Sequence, residues 1–181
     1  MRMTYDKNHP FLASLKERGS LSKPGSSKKT LHFCLGWEDP QIRYEVGDSV
    51  GIYPRHDQRL VDAHVQFFGS TGRELVFFHR GMKQDSFCEF LTSFANLSDI
   101  SPKLVERVAQ RQTVPKKKEY LFSLLKEESY EDLKRHLQER YLLDFLQEHE
   151  EVRFSSQELA VLCMSLMPCF CSIAFSFIKV G

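Results

Sequence analysis

Thiol and hydroxyl groups are concentrated near the end of the chain, where residues 167–176 read Met-Pro-Cys-Phe-Cys-Ser-Ile-Ala-Phe-Ser. A thiol is uncharged at neutral pH unless its surroundings lower its pKa, so Cys169 and Cys171 offer soft ligands and no fixed charge. Cys163 makes a third possible ligand for a soft metal ion, but no obvious fourth ligand accompanies the three and their neighbours are apolar. We therefore expect no metal site and no catalytic residue in this stretch.

The other candidates for chemistry are a basic triplet and seven histidines. Lys116, Lys117 and Lys118 could contact phosphate or an acidic partner, but a short run of charges at the start of a helix is usually solvated. The histidines are dispersed, and none has the His-Glu-x-x-His spacing that places two metal ligands on one helical face. The phenylalanines between residues 67 and 94 lie at helix and strand spacings, which predicts that they pack in a core. These features indicate no metalloenzyme.

The composition limits the classes of protein that fit this sequence. The 181 residues are 41% hydrophobic, which is enough for a folded core, and 25 basic against 24 acidic residues give a net charge of +1. A charge this small provides no global field that would attract nucleic acid. Five cysteines at uneven spacings are not typical of a secreted disulfide framework, and residues 1–15 lack the apolar core of a signal peptide. A location in the reducing cytoplasm is therefore expected.

Strands are the first elements that would position the C-terminal stretch. Residues 1–29 are polar and contain proline and glycine, which predicts an extended lead-in and a loop. Hydrophobic residues alternate over residues 31–35, the period of a half-buried strand, and a turn follows. Residues 43–54 are the predicted return arm of a hairpin, with Val50 and Ile52 on one side of a strand that a proline ends.

Helical spacing replaces the strand period over residues 57–166, apart from a short strand or extended link at residues 74–78. Ser129 with Asp132 and Ser155 with Glu158 have the spacing of capping boxes. The last helix is predicted from Gln157 to about residue 166, leading into a final strand after a proline. The predicted helices start at residues that can cap a helix or at a proline: Asp57, Asp85 or Ser86, Ser101 with Pro102, Pro115, Ser129 and Ser155.

Four segments match the motifs of one family in the same order. Residues 44–54 follow Tyr-x-x-Gly-Asp-x-x-Gly-x-Tyr-Pro, and residues 168–176 are similar to Pro-Arg-x-Tyr-Ser-Ile-x-Ser-Ser. Residues 8–15 are similar to an Asn-Pro-Phe-x-Ala lead-in, and residues 55–57 to a Pro-x-Asn-Asp continuation. The chain thus resembles the NADPH-dependent diflavin reductases, the family that contains cytochrome P450 reductase and the sulfite reductase flavoprotein.

The resemblance implies an α+β fold, in which an antiparallel FAD-binding β-barrel of the ferredoxin-reductase kind carries an all-helical connecting insertion. Residues 1–29 would be the lead-in, residues 30–56 the first barrel strands, residues 57–166 the connecting region and residues 167–181 the returning strand. The family continues with further barrel strands, a second FAD-contacting segment and a nicotinamide-binding domain, and an FMN-binding domain often precedes this region. We therefore expect an incomplete barrel and a truncated or degenerate gene product.

The same resemblance implies which residues would contact the cofactor. Cys169 stands where the family has an arginine that holds the FAD pyrophosphate, and Cys171 where it has a tyrosine that packs against the isoalloxazine. A thiol supplies neither the charge nor the ring, so Ser172 is the best remaining hydrogen-bond partner for the flavin. We expect weak or absent FAD binding by this polypeptide. The expected cofactor-binding residues are Cys169, Phe170, Cys171, Ser172, Ile173 and Ser176.

The implied function is electron transfer from NADPH through FAD to FMN and then to an acceptor protein, such as a haem-containing subunit. The sulfite reductase type is preferred over the P450 reductase type, and FMN and NADPH are expected only in the full-length family. An alternative is a membrane tail anchor, because residues 159–178 are uncharged and long enough to cross a bilayer. Pro168 in the middle of this run and the helix start at Ser155 argue against the anchor.

Overall fold

A computed structural model describes residues 10–37, 42, 44–79, 81–138 and 140–174. A 3-10 turn, Glu127–Ser129, directly precedes the fifth helix. Within the described residues the elements in chain order are β1 (Ser14–Ser20), β2 (Leu31–Gly36), β3 (Ser49–Ile52), α1 (Gln58–Phe67), β4 (Leu75–Phe78), β5 (Lys83–Ser86), α2 (Phe87–Ser93), α3 (Pro102–Arg111), α4 (Pro115–Leu124), α5 (Tyr130–Leu137), α6 (Leu142–Glu148), α7 (Ser156–Leu162) and β6 (Cys169–Ser172). The fold is therefore mixed helix and sheet.

The chain divides into two compact units, residues 1–48 with 174–181, and residues 49–173. In the first unit β1 and β2 pair antiparallel, with a register irregularity between Leu15 and Glu17. The Trp37 ring packs edge-on against Tyr44, at 5.3 Å between ring centroids. The prediction that residues 1–29 contain no regular strand is wrong. All but one of the β1 residues are exposed, so the strand has no hydrophobic alternation that would reveal it.

The second unit contains one hydrophobic core, to which the helices and the β4–β5 hairpin contribute. The inward faces of α2 and α3 have residues four positions apart, and Phe87, Leu91, Leu104 and Val108 are all buried. The phenylalanines of this region pack on one another as predicted, with Phe78 against both Phe90 and Phe94, except for Phe77, which is 48% exposed. The largest fully buried side chains are Phe87, Phe145, Leu91, Leu97, Leu104, Leu121, Leu142, Leu146 and Leu159.

Four predicted helix caps are present. The Asp57 carboxylate accepts the Arg59 backbone N–H at 2.9 Å, and the Ser86 and Ser101 hydroxyls accept backbone N–H groups at the starts of α2 and α3. Ser155 and Glu158 form the complete capping box of α7. Side-chain acceptors satisfy amides that have no partner inside the helix, so these caps fix where the helices begin.

Three helical predictions are wrong. The block is not all-helical: the short strand predicted at residues 74–78 is present as β4, and it pairs with β5 in an antiparallel hairpin. Ser129 makes no side-chain cap, because the 3-10 turn already places it at the entry to α5. The last helix ends at Leu162, because the chain beyond it pairs with the segment that follows α2: Asn96 donates to the Met164 carbonyl at 2.8 Å and Leu166 to the Phe94 carbonyl at 2.7 Å.

The predicted hairpin between residues 31–35 and 43–54 is also wrong. The partner of β2 is β1, and the partner of β3 is β6. The described strands form three separate antiparallel pairs, and no closed barrel is present among them. Pairing between β3 and β6 joins residues far apart in the sequence, which local periodicity does not detect.

The helices of the described residues are all too short or too polar to cross a lipid bilayer. Within residues 159–178, where the tail-anchor alternative placed its span, α7 ends at Leu162 and β6 begins at Cys169.

Candidate functional site

The β3–β6 pair positions most of the residues that sequence motifs identify as cofactor-binding. Its register places Ile52 opposite Cys169, Gly51 opposite Phe170, Val50 opposite Cys171 and Ser49 opposite Ser172. Two motifs separated by more than half of the chain thus become neighbours in one small sheet. Ile173 directly follows β6, and Ser176 lies outside the described residues.

The predicted cofactor residues do not share one face of this sheet. Successive side chains of a strand point to opposite faces, and register partners in an antiparallel pair share a face. Cys169 and Cys171 therefore lie on the face of Val50 and Ile52, where only Cys169 is exposed. Phe170 and Ser172 lie on the opposite, solvent-exposed face. The side chain of Phe170 is 75% exposed.

Phe170 covers the backbone of Gly51. A Cβ placed on Gly51 would lie 3.3 Å from the Phe170 ring and 3.7 Å from the Pro168 side chain. An aromatic ring on the cross-strand partner of a glycine shields backbone that has no side chain of its own. The ring therefore stabilises the strand pair and still presents most of its surface to solvent.

No positive charge lies on the strands of this pair. Residues 49–52 and 169–172 contain no Lys, Arg or His. The nearest cation along the chain is Arg55, and its Nη2 is paired with the Glu89 carboxylate at 3.0 Å. Arg55 lies outside both strands, so the strand pair itself carries no anion-binding side chain.

The five cysteines are free thiols, and three of them do not form the soft-metal site considered from the sequence. Cys163 donates its thiol to the Asn96 carbonyl at 3.3 Å, and burial raises its pKa to about 12. A thiol held in this way is neither a ready nucleophile nor a ready metal ligand. In the part of the chain that the structure describes, no group of three or more His, Cys, Asp or Glu side chains is arranged to hold a metal ion.

A sequence profile of the family described as "FAD binding domain" matches residues 3–178. The chain belongs to the FAD-binding domain family. This assignment agrees with the motif resemblance, and it makes FAD the cofactor of the family to which the chain belongs.

Relatives of this FAD-binding domain are found among flavoproteins. The chain is 28% identical over 173 residues to the sulfite reductase [NADPH] flavoprotein alpha-component of Bacillus subtilis, covering 96% of this chain and 28% of the relative. It is 29% identical over 177 residues to the protein of that name from Vibrio cholerae, covering 98% of this chain and 27% of the relative. A shorter match, 35% over 66 residues, joins 36% of this chain to 10% of the NADPH–cytochrome P450 reductase of Rattus norvegicus. The chain thus spans little more than a quarter of the curated sulfite reductase relatives.

The β3–β6 pair fits only one part of FAD. The exposed ring of Phe170 offers an apolar surface, and Ser172 offers a hydroxyl on the same face. A pyrophosphate carries negative charge, and its usual protein partners are guanidinium or ammonium groups, which these strands lack. The two strands by themselves therefore offer no charged partner for the pyrophosphate.

A second polar site was missed in the sequence. Lys117, predicted to be solvated, donates to the Glu148 carbonyl at 2.7 Å and to the Glu151 carboxylate at 2.9 Å. It lines a cavity together with Tyr120, His136, Arg140, Glu148 and His149. Because these residues come from α4, α5, α6 and the adjoining turns, no single motif contains them. Exposed Lys116 at the next position fits the solvated prediction.

Proposed function

We propose that this chain is the FAD-binding and connecting region of an NADPH-dependent flavoprotein oxidoreductase of the sulfite reductase kind, and that by itself it holds FAD weakly. The main support for an FAD-binding region is the match of the FAD-binding family over residues 3–178. The relatives named as sulfite reductase flavoproteins, which cover almost the whole chain, support the choice of kind.

The proposed organisation follows the motif order. Residues 1–29 are the lead-in, residues 30–56 and 167–181 supply strands of an antiparallel FAD-binding barrel, and residues 57–166 are the connecting region. The antiparallel pairing of β3 with β6 supports this arrangement, because both strands carry motifs of the barrel. The helical region between β3 and β6 thus begins after one strand of a pair and ends before the other strand of the same pair.

The proposed cofactor contacts are those of β6 and the residues after it: Cys169, Phe170, Cys171, Ser172, Ile173 and Ser176. Phe170 and Ser172 would contact FAD from the exposed face of the sheet. Cys169 brings no charge to the pyrophosphate, and that deficit is the reason for weak binding. Loss of one charge-assisted hydrogen bond typically weakens binding by about tenfold or more.

In the whole electron-transfer system, FAD would take a hydride from NADPH and FMN would pass electrons to an acceptor protein such as a haem-containing subunit. The cofactors carry that reactivity, and the role proposed for this chain is to place FAD. A cytoplasmic location is part of the proposal and follows from the composition of the cysteines.

The proposal is tested by titrating the purified chain with FAD and, separately, with FMN, while following quenching of flavin fluorescence. Cys169→Arg restores a charge at the motif position, and Met167→Arg places the same charge on an exposed residue just before the strand. We expect weak binding by the unmodified chain, about tenfold tighter FAD binding by the Cys169 variant and little gain from the Met167 variant.

Two results would overturn separate parts of the proposal. Stoichiometric uptake of a yellow chromophore by the unmodified chain would show that the missing arginine is not needed, and weak binding would be wrong. Equal gains from the two arginine variants, for FMN as much as for FAD, would show nonspecific attraction of phosphate rather than an FAD site at β6.

A further inference from the structure

A cavity of about 410 Å³ lies among α4, α5 and α6, in the unit formed by residues 49–173. Cavities that bind small molecules commonly measure about 300–1,000 Å³. This one shares no residue with the β3–β6 pair and has no part in the proposed FAD contacts. Its lining residues are Lys117, Tyr120, His136, Arg140, Glu148 and His149.

Among the polar groups that line the cavity, hydrogen-bond donors outnumber acceptors. The Lys117 ammonium has three N–H donors, of which two are used by the Glu148 carbonyl and the Glu151 carboxylate. The Arg140 guanidinium has five donors and is paired with the Glu148 carboxylate. Among the described residues, Glu148 is the one carboxylate that lines the cavity, and Arg140 already occupies it. A ligand therefore meets unused donors and few unused acceptors.

His136 adds a buried ring nitrogen without a partner. Its Nδ1 lies 3.2 Å from the Tyr120 hydroxyl, and its Nε2 is buried with no hydrogen-bond partner among the described residues. Buried polar atoms in folded proteins nearly always have partners, and an exception calls for a ligand, an ion or a functional reason. His136 lines the cavity, but this nitrogen has no exposed surface, so a ligand in the cavity would act on the ring through its charge and not through a hydrogen bond to Nε2.

His149 is fixed at the cavity wall by a buried amide. Gln112 Nε2 lies 3.0 Å from His149 Nδ1, and both residues are less than a tenth exposed. An amide nitrogen can only donate, so Nδ1 accepts and the neutral ring carries its proton on Nε2. This contact holds the ring in one tautomer.

We propose that this cavity binds a small tetrahedral oxyanion of the phosphate class, held by Lys117 and Arg140 beside the ring of His136. The donors are pre-placed by the fold, since the ion pairs of Lys117 and Arg140 hold both side chains at the wall. An oxyanion with four acceptor oxygens satisfies the remaining donors, whereas a cation or an apolar ligand would leave them unpaired.

Binding is expected to strengthen as the pH falls. Burial is the main reason that the pKa values of His136 and His149 lie below the ordinary value, and the positive charges of Arg140 and Lys117 lower them further. Glu148 and Glu151 oppose this by raising the pKa values. Protonation of His136 adds positive charge to the cavity, and a bound anion in turn favours the protonated ring. Protonation of His149 would cost its contact with the Gln112 amide, so His136 is the ring expected to respond.

The test uses sulfate as the probe, because sulfate keeps its charge over the pH range in which the histidines titrate. The ring signals of isotope-labelled histidines are followed by NMR, while sulfate replaces chloride up to about 20 mM at constant ionic strength. Lys117→Gln removes a positive charge from the cavity wall, and Lys116→Gln makes the same charge change at the exposed neighbour. We expect saturable shifts of His136, about tenfold weaker binding in the Lys117 variant and less than about twofold change in the Lys116 variant.

A second variant and a second ligand keep the result interpretable. Arg140→Gln should also weaken sulfate binding. Circular dichroism checks that each variant is folded. If one of the two variants misfolds, the other still tests the proposal. If glycerol 2-phosphate binds as tightly as sulfate, the ligand is a phosphomonoester. If the cavity binds sulfate but not glycerol 2-phosphate, the ligand is a free oxyanion. Non-saturable shifts, equal effects of the Lys116 and Lys117 variants, or binding that weakens from about pH 7.5 to about pH 5.5 would overturn the proposal.

Discussion

Ser155 and Glu158 bind each other reciprocally at the start of α7. The Glu158 backbone N–H donates to the Ser155 hydroxyl at 3.2 Å, and the Ser155 backbone N–H donates to the Glu158 carboxylate at 2.9 Å. Ser129 has the same apparent sequence spacing to an acidic residue, yet its side chain caps nothing. The two serines therefore form a matched pair.

Ser155→Ala is predicted to lower the free energy of unfolding by about 1 kcal/mol, because an amide of α7 loses its acceptor. Ser129→Ala is predicted to change it by less than about 0.5 kcal/mol, since no cap is lost. Urea unfolding of both variants measures the difference. Equal losses would mean that the hydroxyl of Ser155 is not acting as a cap.

Glu158 also gives stability a pH dependence. The hydrogen bond from Arg111 is the largest reason that the pKa of this carboxyl falls to about 2, and the backbone of Ser155 contributes next. In the unfolded chain a glutamate titrates near pKa ~4.3. Because the folded pKa is lower, the stabilisation is complete above the unfolded value and is lost as pH falls toward the folded one.

Glu158→Gln is therefore predicted to destabilise the protein at about pH 6 and to cost less at about pH 3. The side chain is 38% exposed, so solvent screening keeps the effect modest. Glu119→Gln, at an exposed position of α4, serves as the control. Its effect on the free energy of unfolding should be the same at the two pH values. Urea unfolding at the two pH values decides the matter, and a destabilisation that grows as pH falls would contradict the predicted sign.

At the scale of elements, the β4–β5 hairpin is joined to α7 by one glutamine. Gln157 accepts the Phe77 backbone N–H at 2.8 Å and donates to the Phe77 carbonyl at 2.9 Å. The side-chain amide thus takes the place of a neighbouring strand at the β4 edge. An edge strand with free backbone groups is open to pairing with other chains, so this contact also protects the hairpin.

Gln157→Ala is predicted to cost about 1–2 kcal/mol, through the loss of two hydrogen bonds. It should also raise the rate of hydrogen exchange at the Phe77 amide more than at the core of α3. Gln147→Ala, at an exposed position of α6, controls for loss of a glutamine side chain. Unchanged exchange at Phe77 would show that other contacts hold the β4 edge.

Elements governed by local chemistry could be predicted from the sequence, and those governed by distant partners could not. The caps at Asp57, Ser86, Ser101 and Ser155 depend on residues within one helical turn. The antiparallel partner of β3 depends on a strand more than a hundred residues later, which periodicity does not reveal. The end of α7 depends likewise on pairing with residues 94–96.

At the scale of the whole molecule, the two units differ in how much hydrophobic surface they bury. All but one of the β1 residues are exposed, whereas Val105, Val108 and Ala109 of α3 are completely buried. Regions with few buried apolar contacts open at lower free energy than a packed core. The first unit should therefore open more readily.

Native-state hydrogen exchange is predicted to show β1 and β2 amides exchanging at least about a hundredfold faster than those of Val108 and Ala109, after correction for intrinsic rates. Mild proteolysis should likewise cut the first unit before the helices. Matching protection across both units would mean that they unfold as one cooperative body, and the prediction would fail.

The family could be predicted from short motifs, but the two candidate sites could be predicted only in part. The motifs placed Cys169 to Ser172 on a strand, as the structure does. They did not show that Cys169 and Phe170 point to opposite faces of a two-stranded pair, because that follows from its register. The cavity around His136 combines side chains from three helices, so only packing brings it together.

The register partners Ile52 and Cys169 make residues 53–168 topologically the loop of one very long hairpin. Closing so long a loop costs conformational entropy before any strand contact is gained, so this pairing raises the contact order and slows folding. The cost falls once the helices have formed, because a folded insert already brings its ends together. We therefore predict that the strand pair is the last part of this unit to assemble, after the helices.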